Sequence, residues 1–253
     1  MPTATVSGRT LHYVETGGGP PTVIFIHGAG GGWGTWTRQL EGVADAGRMI
    51  ALDLPGHGAS PGDGCRAVAD YAAVVQEFIR ALGADPVVLA GHSMGGAVAQ
   101  TIALDSPMLL KGIVLVGTAA RLKVYPELLR LLETDYPAAT EFVKRHAWSP
   151  ATAPALAEGM LKATLEVRQA VTLGDYAACN VFELRNRVAG IRLPTLVIVG
   201  EDDELTPPKF SEFLVSEIPG ARLVRVAKAG HYVPLEQPDE VNLAIRQFLA
   251  ALT

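Results

Sequence analysis

The sequence predicts an α/β protein in which helices cover both faces of a mostly parallel sheet. Short apolar runs alternate along the chain with longer stretches of helical periodicity. Several runs, such as residues 22–26, are apolar on both faces, which is typical of buried parallel strands. Histidine, serine and acidic residues follow these runs, and the carboxyl ends of parallel strands would bring them to one edge of the sheet.

Length and composition predict one large α/β domain with an insertion. The chain has 253 residues, of which 49% are hydrophobic and 19% charged, as in globular proteins. A net charge of −5 without a basic block argues against nucleic acid and anionic membranes as partners. The sequence shows no signal-peptide pattern and no run long enough for a membrane span. Cys65 and Cys179 fit a reducing compartment, so we expect a cytoplasmic protein.

The first half of the chain predicts strands and helices in alternation. Polar alternation over residues 4–15 predicts an antiparallel edge hairpin, and residues 22–26 predict a central strand. A helix over about residues 35–46 and a buried strand over residues 49–52 follow. The apolar residues between about residues 66 and 82 share one helical face, which predicts the next helix.

The second half continues this alternation around an insertion. Strands are predicted at residues 86–90, 112–117, 194–200 and 222–226, with helices following the first and third of these. A last helix closes the chain. Residues 121–190 contain only helical patterns, broken by Pro126, Pro137, Pro150 and Pro154. We therefore expect a core of residues 1–120 and 191–253, with residues 121–190 as a helical cap.

A nucleophile motif lies between a predicted strand and a helix of small residues. Residues 91–95 read Gly-His-Ser-Met-Gly, the G-x-S-x-G pattern that places a serine on a tight turn at the end of a sheet. Glycine at positions 91 and 95 would remove side-chain clashes with the strained backbone of this turn. Ser93 is therefore the candidate nucleophile.

A serine nucleophile needs a base, and the base needs a carboxylate to orient it. In proteins with this turn, the carboxylate and then the histidine follow the serine in the chain. Of the two histidines after Ser93, His146 falls in the insertion and His231 follows the last predicted strand. Four acids follow the strand at residues 194–200, and any of them could orient the imidazole: Glu201, Asp202, Asp203 and Glu204.

The tetrahedral oxyanion of acyl transfer needs two N–H donors. Met94 follows the nucleophile, and Ala29 lies in the glycine-rich loop after the strand at residues 22–26, so we expect their N–H groups to be the donors. Trp33 would line the pocket beside this loop, whereas Trp36 is expected in the core. The loop lacks the Gly-Lys-Ser/Thr continuation of a phosphate-binding loop.

These motifs resemble those of the α/β-hydrolase family, in the family's order and over nearly the whole chain. The matching segments are His27-Gly28, residues 53–60, residues 91–96, residues 200–203 and Gly230-His231. The resemblance implies that Asp203, at the end of a G-x-x-D turn followed by a proline, is the triad acid, with Asp202 as the alternative. It also implies that His27 and His57 are structural.

The resemblance implies a serine hydrolase acting on small carboxylic esters. Relatives that cleave haloalkanes or epoxides use an aspartate nucleophile, whereas this chain has Ser93. The alternatives are a lactonase, a hydrolase of carbon–carbon bonds in ring-fission products, and a cofactor-free haloperoxidase or perhydrolase. Tyr232 weakens the carbon–carbon interpretation, because those relatives usually carry tryptophan after the histidine. A small-molecule receptor is the non-enzymatic alternative, although such receptors often lack part of the triad.

A small-molecule ester is therefore the expected partner, with no cofactor. Scattered histidines without ligand spacing give no indication of a metal site. The expected pocket walls come from the loops around the triad and from the insertion: Trp33, His92, Leu161, Leu165, Tyr176, Phe182 and Tyr232.

Overall fold

A single eight-stranded sheet forms the centre of the protein, in a computed structural model that describes residues 2–83 and 86–252. The strands are β1 (Thr3–Val6), β2 (Arg9–Gly17), β3 (Thr22–Ile26), β4 (Arg48–Leu52), β5 (Val87–His92), β6 (Leu110–Val116), β7 (Thr195–Gly200) and β8 (Arg222–Val226). Their order is β1-β2-β4-β3-β5-β6-β7-β8. β2 pairs antiparallel with β1 and β4, and all other neighbours are parallel.

Helices connect the parallel strands and cover both faces of the sheet. They are α1 (Thr37–Gly42), α2 (Val68–Ala81), α3 (Met94–Asp105), α4 (Pro126–Thr134), α5 (Tyr136–Ala147), α6 (Pro154–Glu166), α7 (Gln169–Val181), α8 (Pro208–Glu217), α9 (Val233–Glu236) and α10 (Pro238–Ala250). Helices α2, α3 and α8 pack on one face, and α1 and α10 pack on the other.

The two faces of the sheet form separate hydrophobic clusters because successive strand residues point in opposite directions. In β3, Ile24 and Ile26 belong to one cluster, whereas Val23 and Phe25 belong to the other. All four side chains are fully buried. Each buried side chain of this size contributes about 1.5–3 kcal/mol relative to an exposed one, so both layers are needed to stabilise the sheet.

The predicted fold class is confirmed, and the predicted strands at residues 22–26 and 222–226 have the observed bounds. The strand predicted at residues 112–117 instead begins at Leu110 and ends at Val116. Gly117 belongs to the following turn because its φ of +52° is incompatible with a strand.

The helix predicted over residues 35–46 is wrong in extent. The chain forms a 3-10 turn at Trp33–Trp36, the short helix α1, and a second 3-10 turn at Ala44–Ala46. Helix α1 ends at Gly42, where a Cβ atom would lie 1.9 Å from the Asn242 amide nitrogen. A side chain at this position would have to displace the Asn242 amide of α10, and glycine is a poor helix former.

Residues 121–190, all of which the structure describes, form helices α4–α7 and no strand. The segment leaves the sheet after β6 and returns before β7. Its two ends meet, because the Leu184 N–H donates to the Ala120 carbonyl at 2.7 Å and Arg121 forms an isolated bridge with Glu183. We refer to residues 121–190 as the helical segment. No helix in the described parts of the chain is long and apolar enough to cross a bilayer.

Candidate active site

Ser93 lies on a strained turn between β5 and α3. Its φ of 52° and ψ of −114° place a residue with a side chain in a region that normally favours glycine. Such strain costs on the order of 1–3 kcal/mol and persists only where the surroundings impose it. Close packing does so here, since a Cβ on Gly91 would lie 2.1 Å from the Gly95 carbonyl oxygen and one on Gly95 would lie 2.3 Å from the Ile26 carbonyl oxygen.

Hydrogen bonds fix both main-chain groups of Ser93. Its N–H donates to the Val116 carbonyl at 2.9 Å. Its carbonyl accepts from the Gly96 N–H at 2.9 Å and from the Thr118 hydroxyl at 2.7 Å. The main chain of the turn is therefore held from the neighbouring strand β6 as well as from α3.

His231 is held in the loop after β8 by its main chain and its ring. Its N–H donates to the Ala147 carbonyl at 2.6 Å, and its carbonyl accepts from Nε2 of His92 at 2.9 Å. The imidazole is buried, and its Nδ1 lies 2.9 Å from Oδ2 of Asp203. Since this carboxylate oxygen accepts, Nδ1 carries the proton and Nε2 is the nitrogen left for a reacting group.

Asp203 is fully engaged in hydrogen bonds. Oδ1 accepts from the N–H groups of Leu205 at 2.9 Å and Thr206 at 2.7 Å, and Oδ2 also accepts from the Thr206 hydroxyl at 2.8 Å. Burial by itself would raise the pKa of this carboxyl, but the His231 ring and the bonds from Thr206 outweigh it, so the pKa is below its ordinary value. Asp203 is therefore ionised at neutral pH.

The other acids of this turn face different partners. Asp202 accepts from the Ser149 hydroxyl at 2.6 Å, and Oε2 of Glu204 lies 2.8 Å from Nδ1 of His146. Both of these acids and Glu201 are exposed, whereas Asp203 is 3% exposed. Of the four candidates from the sequence, Asp203 is the one in contact with His231.

The loop after β3 fixes the direction of the Ala29 N–H. The Gly28 carbonyl accepts from the Gly31 N–H at 3.1 Å and from Nδ1 of His27 at 2.8 Å. In a trans peptide the carbonyl and the next N–H point in opposite directions, so these bonds also orient the Ala29 N–H. Met94 is the first residue of α3, where N–H groups have no partner within the helix. We call residues 28–31, which contain the predicted donor Ala29, the oxyanion loop.

Two small cavities meet at Ser93. The larger, about 90 Å³, is lined by Ala29, Ser93, Arg121, Leu122, Lys123, Val124, Tyr125, Leu128, Tyr176, Cys179, Leu205, Thr206, Phe210 and His231. The smaller, about 20 Å³, is also lined by Ser93, Ala29, Tyr176, Leu205 and His231. We refer to the larger one as the Ser93 cavity.

Three of the seven predicted pocket residues line these cavities. Tyr176 lines both, and His92 and Tyr232 line the smaller one. The Tyr232 ring also stacks on Trp148 with 4.7 Å between centroids. Burial and the neighbouring His231 lower the pKa of His92 to about 3, so its ring is neutral.

The other four predicted pocket residues lie elsewhere. Trp33 lines a separate cavity of about 690 Å³, which neither Ser93 nor His231 lines. Leu161 lines a small cavity behind Tyr232, and Leu165 is 41% exposed. Phe182, at the end of α7, is buried in the hydrophobic core. Trp36 is also a core residue, against Phe25 at 4.9 Å between ring centroids.

Several cavity residues were not identified from the sequence. Thr206, which donates to Asp203 and lies 3.1 Å from Nδ1 of His231, could have been found, because Asp side chains commonly accept from residues two and three positions later. Lys123 and Tyr125 had no such signal, since they precede the first helix of the segment in an irregular stretch.

The predicted structural histidines bridge loops. Nε2 of His27 accepts from the Leu54 N–H at 3.1 Å, which ties the oxyanion loop to the loop after β4. His57 contacts Oδ2 of Asp175 at 2.8 Å, and both side chains are fully buried. Neither histidine lines the Ser93 cavity.

The chain is similar to one protein family and to several individual proteins. Residues 23–244 match the alpha/beta hydrolase family. A 2-hydroxy-6-oxononadienedioate/2-hydroxy-6-oxononatrienedioate hydrolase from Dechloromonas aromatica is 28% identical, covering 94% of this chain and 90% of that protein. The dihydrolipoyllysine-residue acetyltransferase component of the acetoin cleaving system of Cupriavidus necator is 29% identical, over 97% of this chain and 68% of the relative.

Among solved structures, a thermophilic esterase superposes with a TM-score of 0.87 at 34% identity, covering 99% of this chain and 97% of the esterase. The match therefore extends over the sheet, the Ser93 turn and the helical segment alike. The chain belongs to the alpha/beta hydrolase family.

Proposed function

We propose that the protein is a serine hydrolase that cleaves small carboxylic esters through an acyl-enzyme on Ser93. The observation that carries the proposal is the 2.9 Å contact between His231 and the buried carboxylate of Asp203, together with the cavity that His231 and Ser93 both line. The likeness to an esterase of similar length supports ester substrates.

Acylation would begin with attack of Ser93 Oγ on the ester carbonyl carbon. Nε2 of His231 takes the hydroxyl proton, and the ionised Asp203 stabilises the resulting imidazolium through Nδ1. The carbonyl oxygen becomes an oxyanion bound by the N–H groups of Ala29 and Met94. Each such donor contributes about 3 kcal/mol to stabilising the transition state.

Collapse of this intermediate would break the bond to the alkoxy oxygen. His231 gives its proton to that oxygen, the alcohol leaves, and the acyl group remains on Ser93. A water molecule then attacks the acyl carbon while His231 takes a proton from it. In the second tetrahedral intermediate the bond between the acyl carbon and Ser93 Oγ breaks, His231 gives its proton to Oγ, and the carboxylic acid leaves.

The helical segment acts in this proposal as a cap that limits substrate size. Leu128 of α4 and Tyr176 of α7 line the Ser93 cavity opposite the loops of the sheet. Its volume, about 90 Å³, is far below the roughly 300–1,000 Å³ of pockets for drug-sized ligands. Substrates with short acyl groups fit such a cavity without displacement of the helices.

Hydrolysis of p-nitrophenyl esters tests this function and the size limit together. We expect acetate and butyrate esters to be cleaved, with kcat/KM at least about tenfold lower for the octanoate, because a long chain has to displace packed side chains. Failure to cleave any short ester would contradict the proposed function. A preference for octanoate would contradict the role given to the helical segment.

The charges at the Ser93 cavity favour a second candidate, a hydrolase of lactones or carbon–carbon bonds in substrates that carry a carboxylate. Arg121 and Lys123 line this cavity, and no Asp or Glu of the described chain does. Arg121 lies 3.5 Å from Glu183, which leaves Lys123 as the better candidate to meet an anionic group. The relative from Dechloromonas aromatica is a hydrolase of dioates.

The variant Lys123→Gln tests whether the charge of Lys123 helps to bind a carboxylate of the substrate. We expect the ratio of kcat/KM for a succinate monoester to that for a neutral ester of equal length to fall about threefold to fivefold, as for a solvent-exposed ion pair. The fall should shrink in 1 M salt, where charges are screened within about 3 Å. Lys111→Gln, at an exposed position in β6, is the matched control. An equal fall in both variants would assign the effect to net charge and contradict a binding role for Lys123.

A further inference from the structure

A buried carboxylate outside the proposed triad joins the helical segment to the core. Asp175 lies in α7 and is fully buried. Its Oδ2 accepts from the Gly30 N–H at 2.9 Å and contacts Nε2 of His57 at 2.8 Å, and its Oδ1 accepts from the Tyr71 hydroxyl at 2.5 Å. These donors come from three parts of the core, namely the oxyanion loop, the loop after β4 and helix α2.

The His57 ring in this cluster faces an oxygen atom at each of its two nitrogens. Nε2 faces the Asp175 carboxylate, and Nδ1 lies 3.1 Å from the Pro55 carbonyl oxygen. The Pro55 carbonyl oxygen can only accept, so Nδ1 carries a proton, and a carboxylate beside Nε2 favours the protonated ring. Burial lowers the pKa of His57, but Asp175, the Pro55 carbonyl and the charge of Asp53 raise it above the ordinary value. The neighbouring His27 ring, at 4.7 Å between centroids, has a pKa well below its usual range because it is buried and lies beside His57.

Stability alone gives a weak reason for burying these two ionisable side chains together. Removing two charges from water costs several kcal/mol per ion, and apolar side chains of similar volume often replace a buried pair without loss of stability. The bond to Gly30 gives a more specific reason. Gly30 follows Ala29 directly and has a φ of +62°. Because glycine adopts many other backbone conformations equally readily, the loop sequence alone does not hold Gly30 in this one.

The oxyanion loop is thus held at both ends. The Gly28 carbonyl is fixed by His27 and the Gly31 N–H, and the Gly30 N–H is fixed by Asp175. Ala29 lies between these two fixed peptides. We propose that Asp175 is a positioning residue that orients the oxyanion-binding N–H of Ala29 from helix α7. This inference rests on the proposed function, because it assigns Ala29 an oxyanion.

The test is the variant Asp175→Asn. Its side chain has the same size, but an NH₂ group takes the place of one carboxylate oxygen and faces hydrogen-bond donors. We expect kcat for a short ester to fall about tenfold to a hundredfold, as when a catalytic group is displaced by a fraction of an ångström to one ångström. KM should stay within about twofold, because the ground-state ester makes little use of the oxyanion donors. Binding of a trifluoromethyl ketone, whose adduct with Ser93 carries an oxyanion, should weaken by the same factor as kcat.

Leu132→Ala is the matched control for lost stability. Leu132 is a buried residue of α4 in the same helical segment and does not line the Ser93 cavity. This variant should unfold at a lower temperature yet keep its kcat and inhibitor affinity when assayed below its Tm. A folded Asp175→Asn variant with unchanged kcat and inhibitor affinity would overturn the inference. So would an equal loss of kcat in Leu132→Ala.

A measurement on the unmodified protein covers the case in which Asp175→Asn does not fold. Amide hydrogen exchange of Gly30 should be slow, because its N–H is bonded to a fully buried carboxylate. Fast exchange at Gly30 would overturn the inference independently of any substrate. Ester turnover that survives replacement of Ser93 would instead overturn the proposed function and leave the Gly30 result standing.

Discussion

Ser93→Ala is expected to lower kcat for short esters by about a million-fold, the loss seen when a triad nucleophile is removed. Alanine leaves the positive-φ turn and its hydrogen bonds in place, since these involve the main chain of residue 93. The loss therefore reports the missing hydroxyl and not a changed fold. Initial rates with p-nitrophenyl acetate, together with an unfolding curve, provide the measurement.

Ser106→Ala is the matched control for Ser93→Ala. Ser106 lies just beyond the other end of α3, and its hydroxyl bonds Gln76 at 3.1 Å, far along the helix from the nucleophile turn. This variant should keep kcat within about twofold, as for a substitution away from the reacting groups. A Ser93→Ala enzyme that retains most of its turnover would remove Ser93 from the mechanism.

Asp203→Asn is expected to lower kcat by about ten-thousand-fold, as in other triads. The amide can place its NH₂ group against Nδ1 of His231, which favours the tautomer whose Nε2 already carries a proton and cannot accept one from Ser93. It also loses the negative charge that stabilises the imidazolium. The effect should appear in kcat more than in KM, because the imidazolium forms during the reaction.

Asp202→Asn separates this role from general effects of charge on the turn. Asp202 is adjacent in sequence, is exposed, and contacts the Ser149 hydroxyl at 2.6 Å. Its replacement removes the same charge and should leave most of the turnover. The reverse ranking of the two variants would transfer the role of the triad acid to Asp202.

The sheet could be predicted because its signal is local. Residues of β3 and β7 are apolar on both faces, and this pattern distinguishes a buried parallel strand without knowledge of its neighbours. The extent of α1 could not be predicted in this way. At its end, Gly42 lies against Asn242, 200 residues later in the chain, and no local pattern reveals that contact.

The candidate site was partly predictable for a topological reason. Ser93, Asp203 and His231 follow β5, β7 and β8, and parallel strands bring their carboxyl ends to one edge of the sheet. The walls contributed by the helical segment were not predictable to the same degree. Helical periodicity shows which face of α6 is apolar, but not that Leu165 near its end would be exposed.

The burial of Asp175 could not be predicted from the sequence either, since a single acid within a helix ordinarily faces water. Its burial depends on His57 and Tyr71, which are 118 and 104 residues away. No spacing in the sequence connects these three residues, and their meeting follows from the packing of α7 against α2 and the loop after β4.

The most direct test of the acyl-enzyme mechanism is whether a covalent bond forms to Ser93. The intact protein is exposed briefly to a slowly hydrolysed ester or a fluorophosphonate and is then analysed by mass spectrometry. We predict a single adduct, mapped by peptide digestion to Ser93, and its absence in Ser93→Ala. Ester turnover by an enzyme that forms no adduct on Ser93, or an adduct that persists in Ser93→Ala, would contradict covalent catalysis by this residue.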